Sequence, residues 1–295
     1  MSDVDRALSV LRAGGLVAIP TETVYGLAAD ASNADAVRRV FAVKERPVDH
    51  PLIVHVGAAA QLGDWASTIP AAAAVLADAC WPGPLTLLVP SAATVLDLVT
   101  GGRSTVGVRV PAHPLTLELL ARFGGGLAAP SANRFGRVSP TTADHVRADL
   151  GVDVDFVLDG GACPVGVEST IVDCTVEPPQ VLRPGGISSE EIEALLQMTL
   201  GAVDGPSRAP GMLESHYAPR CRIVLADSRA EAETIAGVLP GAEILDDDDL
   251  PHYAHTLFAR LRAADDRGVA TIVAVLPTPR GLGHAIRDRL IKASA

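Results

Sequence analysis

The chain has 295 residues, 48% of them hydrophobic, enough for one large core or two smaller ones, and its length favours two domains. A formal net charge of -11 excludes a surface that grips a polyanion all over, so any nucleic-acid contact has to be local. Aromatics make up only 3% while Gly (27) and Pro (22) are plentiful, which points to an α/β protein with a core of Ala, Val and Leu.

Val4, Leu8 and Leu11 recur at helical spacing and Gly14-Gly15 stops them, so a short amphipathic helix opens the chain. Asp3, Asp5 and Arg6 stand where a secretion signal needs a basic start and an unbroken apolar run. The apolar stretches at 85–90 and 269–276 are too short to span a bilayer, and the expectation is a cytoplasmic protein with no membrane partner. Leu16 to Pro20 reads as a strand, and the polar cluster Pro20-Thr-Glu-Thr-Val-Tyr-Gly-Leu27 follows at its exit. Ala36, Val37, Val40 and Phe41 form the next helical face, and Leu52 to Val56 the next strand. Helical runs at 70–80 and 114–123 and strand-like runs at 85–89, 105–110, 126–129, 155–158, 167–173 and 180–183 follow. Without strict alternation of strand and helix, these suit a mixed sheet curled over helices.

Residues 201–219 lose periodicity and gather Gly and Pro, as a linker does. After it, strands at 222–226, 242–245 and 270–276 alternate with helical runs at 228–238, 252–264 and 281–292, a small Rossmann-like layer without a Gly-x-Gly-x-x-Gly loop. The expected division is therefore 1–200, a linker at 201–220, and 221–295. The acid run Asp246 to Asp249 reads as a solvated loop, with metal binding as the alternative.

Chemistry gathers at strand ends. Lys44 and Arg46 sit in a loop between helix and strand, where a phosphate binder and plain surface charge look alike. Arg109 lies inside an apolar strand, Val106-Gly-Val-Arg-Val-Pro111, so it needs a partner: a structural carboxylate, or a substrate's carboxylate or phosphate. Ser131 and Asn133 follow a strand, where they can offer hydroxyl and amide groups to a nucleotide, but taken alone ordinary turn chemistry is the better account of them. In Val167 to Asp173, strand alternation puts Glu168 and Thr170 on one face and Ser169 on the other. Arg183 ends a strand before Gly185-Gly186, where backbone N–H groups can help hold phosphate or the Arg can simply be exposed at the joint.

The eight histidines form no metal-binding pair, Cys80, Cys163, Cys174 and Cys221 form no Cys-x-x-Cys, and neither a Walker A loop nor a nucleophile elbow is present. No protein metal site is expected, and the cysteines read as buried thiols. Such a residue set positions anions and does no covalent catalysis.

In order along the chain, Pro20-Thr-Glu-Thr-Val-Tyr-Gly-Leu27, Lys44-x-Arg46-Pro47, Pro51-Leu-Ile-Val-His55, Val108-Arg-Val-Pro111, Pro130-Ser-Ala-Asn133, Glu168-Ser-Thr-Ile171 and Leu182-Arg-Pro-Gly185 resemble the YrdC family. Ser215-His-Tyr-Ala-Pro219 and the run at 281–290 resemble its two-domain Sua5 branch. The resemblance implies a curled YrdC-like α/β domain with a basic concave face, followed by a small Rossmann-like domain. It implies synthesis of L-threonylcarbamoyl-AMP from L-threonine, bicarbonate or CO2, and ATP with release of pyrophosphate, the product going to a transferase that modifies adenosine 37 of tRNA. Mg2+ would arrive with ATP.

Position by position, the resemblance implies that Thr23, His55, Arg109, Ala129 and Ser169 hold threonine, Arg109 by its carboxylate. Arg46, His50, Thr105, Ser131, Asn133, Ser139 and Arg183 would contact ATP, Lys44 and Arg46 acting in the chemistry, and Tyr217 would close over the site as a lid. His50 stands where the family commonly has Asn, and residues 221–295 are shorter than is usual for the Sua5 branch. Two other functions compete with this one: a YrdC-like module that binds RNA without catalysis, and a carbamoyltransferase of the kind that matures hydrogenases.

Overall fold

In the computed structural model, which describes residues 2–203, 208–212 and 216–295, period-two alternation sorts strand side chains between the two faces of one sheet. Its elements are α1 (Asp3–Arg12), β1 (Val17–Ile19), β2 (Gly26–Asp30), α2 (Ala34–Lys44), β3 (Ile53–His55), α3 (Leu62–Trp65), α4 (Ala71–Cys80), β4 (Leu85–Pro90), α5 (Asp97–Thr100), β5 (Thr105–Arg109), α6 (Pro114–Phe123), β6 (Leu127–Ala128), α7 (Ala143–Leu150), β7 (Phe156–Val157), β8 (Thr170–Asp173), β9 (Gln180–Arg183) and α8 (Ser189–Leu196). The nine strands lie in the order β7-β1-β2-β6-β3-β5-β4-β8-β9. β1 with β7, β3 with β5 and β4 with β8 are parallel and the other neighbours antiparallel, the mixed sheet that the absence of strict alternation predicts.

Leu16, Ala18, Leu27, Val54, Leu85, Leu87, Val106 and Val108 belong to one large core with Val37 and Val40 of α2, Leu76 of α4 and Val146 of α7. The intervening Val17, Ile19, Ala28 and Leu127 meet Leu8 and Leu11 of α1 and Leu119 and Leu120 of α6. Further along this second face the cover is not helical: Ile53, Leu88, Ile171 and Leu182 pack on Ala209 and Met212 of the linker. The polar residues of β3, β4 and β5 on this face, His55, Thr86 and Arg109, are buried beside that patch and open the site.

Several expected strands are shorter: 16–20 is Val17–Ile19, 52–56 is Ile53–His55, the run at 126–129 is only Leu127–Ala128, 155–158 only Phe156–Val157, and 167–173 starts at Thr170. β2 has a weak sequence signal because Gly26, Ala28 and Ala29 carry little strand propensity. Helix α8 follows a legible start, Ser188 and Glu191 forming a reciprocal capping box.

Beyond the linker come β10 (Arg222–Ala226), α9 (Arg229–Val238), β11 (Glu243–Leu245), α10 (Leu250–Arg267), β12 (Thr271–Val275) and α11 (Leu282–Ser294). Their strands form a parallel sheet in the order β10-β12-β11, the expected Rossmann-like layer. Its inner helices share a core with the first sheet's loops: Tyr253, Leu257 and Phe258 of α10 and Ile286 and Leu290 of α11 pack with Val24, Val138, Val167 and Tyr217. Gly166 (φ +82) permits the closest approach, since a Cβ there would lie 2.5 Å from the Ala254 and His255 carbonyl oxygens.

The acid run has structural work: Asp249 caps α10 and Asp247 pairs with His252 at 2.5 Å. Among the described residues no group of three His, Cys, Asp or Glu side chains is placed to hold a metal ion, and no helix is long and apolar enough to cross a membrane. All four cysteines are free thiols, three of them buried.

Candidate active site

Two strand ends, the end of α2 and the loop after it bring four cations to one cavity. Lys44, Arg46, Arg109 and Arg183 line it together with Thr21, Thr23, His55, Ala129, Ser131, Asn133, Phe135, Glu168, Ser169, Gly211, His216 and Tyr217. Its internal volume is ≈60 Å³, roughly four to six waters' worth. That is room for a small amino acid and too little for a nucleotide beside it.

Arg109 ends β5, where the even-numbered Val106 and Val108 face the core and Arg109 faces the cavity. Its Nη2 donates to Glu22 Oε1 at 2.6 Å and Thr23 Oγ1 at 3.0 Å, and its Nε to the Gly83 carbonyl at 3.2 Å. Glu22 also accepts from the Ala112 backbone N–H, so a buried ion pair fixes the guanidinium. Both readings of Arg109 therefore meet in one geometry: a structural carboxylate holds one edge, and the group still lines the cavity.

Lys44 is not in a loop. It is the last residue of α2, only 1% exposed, and its Nζ donates to the Ser131 and Asn133 carbonyls at 2.5 Å each. Burial, with Arg46 nearby, pulls its pKa well below the ordinary lysine value. Arg46 donates to the Pro51 carbonyl at 2.9 Å and lies 5.4 Å from the Phe135 ring centre; burial lowers its pKa to about 10, so it stays charged at neutral pH.

Glu168 and Ser169 both reach the cavity, against the alternation expected for them, because β8 begins only at Thr170 and the two precede the pleat. Ser169 Oγ is 2.8 Å from Thr86 Oγ1, and its carbonyl accepts from Nε and Nη2 of Arg183 at 3.1 and 2.8 Å. Burial works to raise the Glu168 pKa, but Arg289, Arg183 and the Ser139 hydroxyl together bring it below the usual carboxylate value.

The linker closes the cavity. Pro210, Gly211, His216 and Tyr217 line it, and the Tyr217 side chain, expected as a lid, is 1% exposed with its backbone in the left-handed region (φ 63). Its ring is 4.1 Å from that of His216 and stacks on Phe258 at 5.7 Å. Burial drives the pKa of both His55 and His216 down to about 3, so both imidazoles are neutral. Buried Asn133 Oδ1 and His216 Nδ1, both in residues of the cavity wall, have no hydrogen-bond partner among the described residues.

Of the expected site residues, Thr23, Lys44, Arg46, His55, Arg109, Ala129, Ser131, Asn133, Ser169, Arg183 and Tyr217 meet at this cavity. His50, Thr105 and Ser139 are not on its wall. His50 meets Phe135 edge-on at 5.3 Å, Thr105 begins β5 four residues before Arg109, and Ser139 gives its hydroxyl to Glu168 Oε1 at 2.5 Å. Ser215 lies outside the described residues. Sequence reasoning missed Glu22, Thr86, Phe135 and His216 as working parts of the site, and Arg289, which reaches it from α11. Glu22 and His216 lie inside motifs already singled out, whereas the place of Arg289 depends on how the two sheets pack.

Residues 9–185 match the Sua5/YciO/YrdC family model, described as telomere recombination, and residues 187–295 match the model described as the C-terminal domain of threonylcarbamoyl-AMP synthase. The second match begins ahead of α8, whose Ile192 belongs to the first sheet's core. A threonylcarbamoyl-AMP synthase of Pyrococcus abyssi is 39% identical, covering 98% of this chain and 93% of its own. One from Bacillus subtilis is 38% identical, covering 99% and 92%. The crystal structure of P. abyssi Sua5 complexed with L-threonine superposes with a TM-score of 0.93 over 99% of this chain and 94% of that one, at 39% identity.

Proposed function

We propose the reaction below for a chain that belongs to the Sua5/YciO/YrdC family and carries the Sua5 C-terminal unit behind it. It is an L-threonylcarbamoyl-AMP synthase, a transferase that binds L-threonine and serves tRNA modification by t6A. The observation that carries the chemistry is the convergence of Lys44, Arg46, Arg109 and Arg183 on one closed cavity.

Threonine's neutral amine takes up CO2 to give a carbamate and a proton, or bicarbonate to give the same carbamate and water. A carbamate oxygen then bonds to the α-phosphorus of ATP, the bond from that phosphorus to the bridging oxygen breaks, and pyrophosphate leaves. ATP, the carbamate and threonine's carboxylate are all anionic, so fixed cations and hydroxyl groups do the work of assembly, and the step calls for alignment more than for a protein acid or base. Arg109 binds the threonine carboxylate, with Thr23, His55, Ala129 and Ser169 around the rest. Arg46, Arg183, Ser131 and Asn133 hold ATP, Lys44 and Arg46 lying closest to the reacting phosphate.

A nucleotide needs more space than the closed cavity has. It would extend along the sheet face toward Thr105 and past Phe135 toward His50, which accounts for two contacts beyond the wall. Ser139 acts on it through Glu168. Tyr217 and its segment then open for ATP and close to shield the mixed anhydride from water. Mg2+ travels with ATP on its phosphates; among the described residues the cavity wall supplies a single carboxylate, Glu168, which fits an ion delivered by the substrate better than a resident one. The division 1–200, 201–220 and 221–295, a cytoplasmic setting, and a transferase partner that takes the product complete the proposal.

The RNA-binding alternative has less support, because Lys44, Arg109 and Arg183 are at most 5% exposed and out of reach of a polynucleotide backbone. The test is pyrophosphate release by the purified chain with ATP, Mg2+ and bicarbonate. Release that depends on L-threonine supports the reading; a folded sample without it refutes it.

A further inference from the structure

Glu168 is a carboxylate on the wall of a cavity built for anions, and among the described residues no cation of its own sheet donates a hydrogen bond to it. Buried at 5% exposure, it accepts one hydrogen bond from Ser139. An unpaired carboxylate in that position would be costly and would repel the substrates. The compensating charge comes from the far end of the chain. Arg289 of α11, whose side chain is fully buried, donates from Nε to Glu168 Oε2 at 2.7 Å and from Nη1 to Asp288 Oδ2 at 2.5 Å. Its guanidinium carbon is 5.0 Å from the Tyr217 ring centre. One turn on, Lys292 donates from Nζ to the Gly211 carbonyl at 2.6 Å and accepts at its own carbonyl from the His216 N–H at 3.1 Å. One face of α11 thus touches Glu168, Tyr217, His216 and Gly211, all four of them on the cavity wall.

We infer that Arg289 is a positioning residue of the synthase site, through which the second sheet's unit neutralises Glu168 and backs Tyr217. Without it, Glu168 becomes the nearest partner for Arg183, which now holds the Ser169 carbonyl and hydroxyl from Nη2 at 2.8 and 3.1 Å. Arg183 is then drawn from the nucleotide. The cost falls on ATP more than on threonine, which Arg109 holds against its own carboxylate, Glu22. The kinetic form of this inference rests on the synthase reading.

The experiment compares Arg289→Gln, Arg289→Lys, Glu168→Gln and the double variant Glu168→Gln/Arg289→Gln in the full chain, by KM for ATP and for threonine and by melting temperature. Arg289→Gln is expected to raise KM for ATP at least tenfold and KM for threonine less than threefold. Arg289→Lys, and the double variant from which the carboxylate is also gone, are expected to return KM for ATP to within about threefold of Glu168→Gln alone. Unchanged KM values in Arg289→Gln, or a double variant no better than Arg289→Gln, overturn the inference. If Arg289→Gln does not fold, a folded double variant with KM near that of Glu168→Gln supports it, and an unfolded double variant overturns it. If the wild type releases no threonine-dependent pyrophosphate, the synthase reading fails on its own. Calorimetric binding of α,β-methylene-ATP to the same proteins then decides: the same rank order supports Arg289 as positioning, and any other order, or no binding by wild type, overturns it.

Discussion

Replacing Arg109 by Ala separates the two substrates. The guanidinium gives Nη2 to Glu22 and Thr23 and Nε to Gly83, while Nη1 makes no hydrogen bond among the described residues. The proposed bond to threonine's carboxylate is charge-assisted, a class of interaction contributing about 1.5–3 kcal/mol. Its loss raises KM for threonine between tenfold and roughly 150-fold, while KM for ATP moves by less than threefold. The same substitution strands Glu22, 7% exposed, as an unpaired carboxylate, and breaking such a buried pair costs about 3–5 kcal/mol of stability. The comparison is therefore made in a Glu22→Gln background as well, where that charge is gone. Initial rates of pyrophosphate release at saturating bicarbonate, with threonine and then ATP varied, give both constants. Equal shifts in the two, or none in a folded variant, refute the clamp.

Gly211→Ala would set a Cβ 2.7 Å from Tyr217 Oη and 2.8 Å from Arg183 Cδ at φ +81; kcat should fall at least tenfold with the fold retained by circular dichroism, and an unchanged kcat contradicts a closed lid. Lys44→Met should cut kcat/KM for ATP at least about 100-fold in a folded protein; a loss below tenfold removes Lys44 from the chemistry. Because the Lys44 pKa lies below its ordinary value in the free protein and ATP's phosphates raise it, nucleotide binding at pH 9 should take up protons; calorimetric heats that do not vary with buffer ionisation contradict this. His55 and His216 stay neutral down to about pH 3 in the folded state, while the unfolded chain binds protons below the ordinary 6.5. The native form thus binds fewer protons in that window, and stability is full above pH 6.5 and falls as pH drops, by about 2 kcal/mol per histidine between pH 7 and 5. Denaturant unfolding at the two pH values measures it; equal or greater stability at pH 5 contradicts it.

Local pattern made much of this legible. Arg109 inside an apolar strand had to have a partner, and the ordered motifs located eleven of the cavity's wall residues. Pattern failed where local geometry departs from an ideal element. Strand alternation splits Glu168 and Ser169 between two faces although the strand starts after them, and the sequence pattern puts Lys44 in a loop although α2 runs through it and buries it. Long-range partners had no local signal: Glu22 meets Arg109 across 87 positions and Glu168 meets Arg289 across 121. The second unit's helices and strands were plain from periodicity, but nothing in periodicity says that one of its helices ends against the first unit's cavity.

The central claim is that these cations join a threonine-derived carbamate to AMP without a covalent enzyme intermediate. Carbon-14 bicarbonate supplied with ATP, Mg2+ and L-threonine should appear in a nucleotide whose mass equals AMP plus N-carboxythreonine less water. Omitting threonine should abolish the label, and no label should remain on the denatured protein. Label bound covalently to the chain, or a labelled nucleotide formed without threonine, would contradict the account.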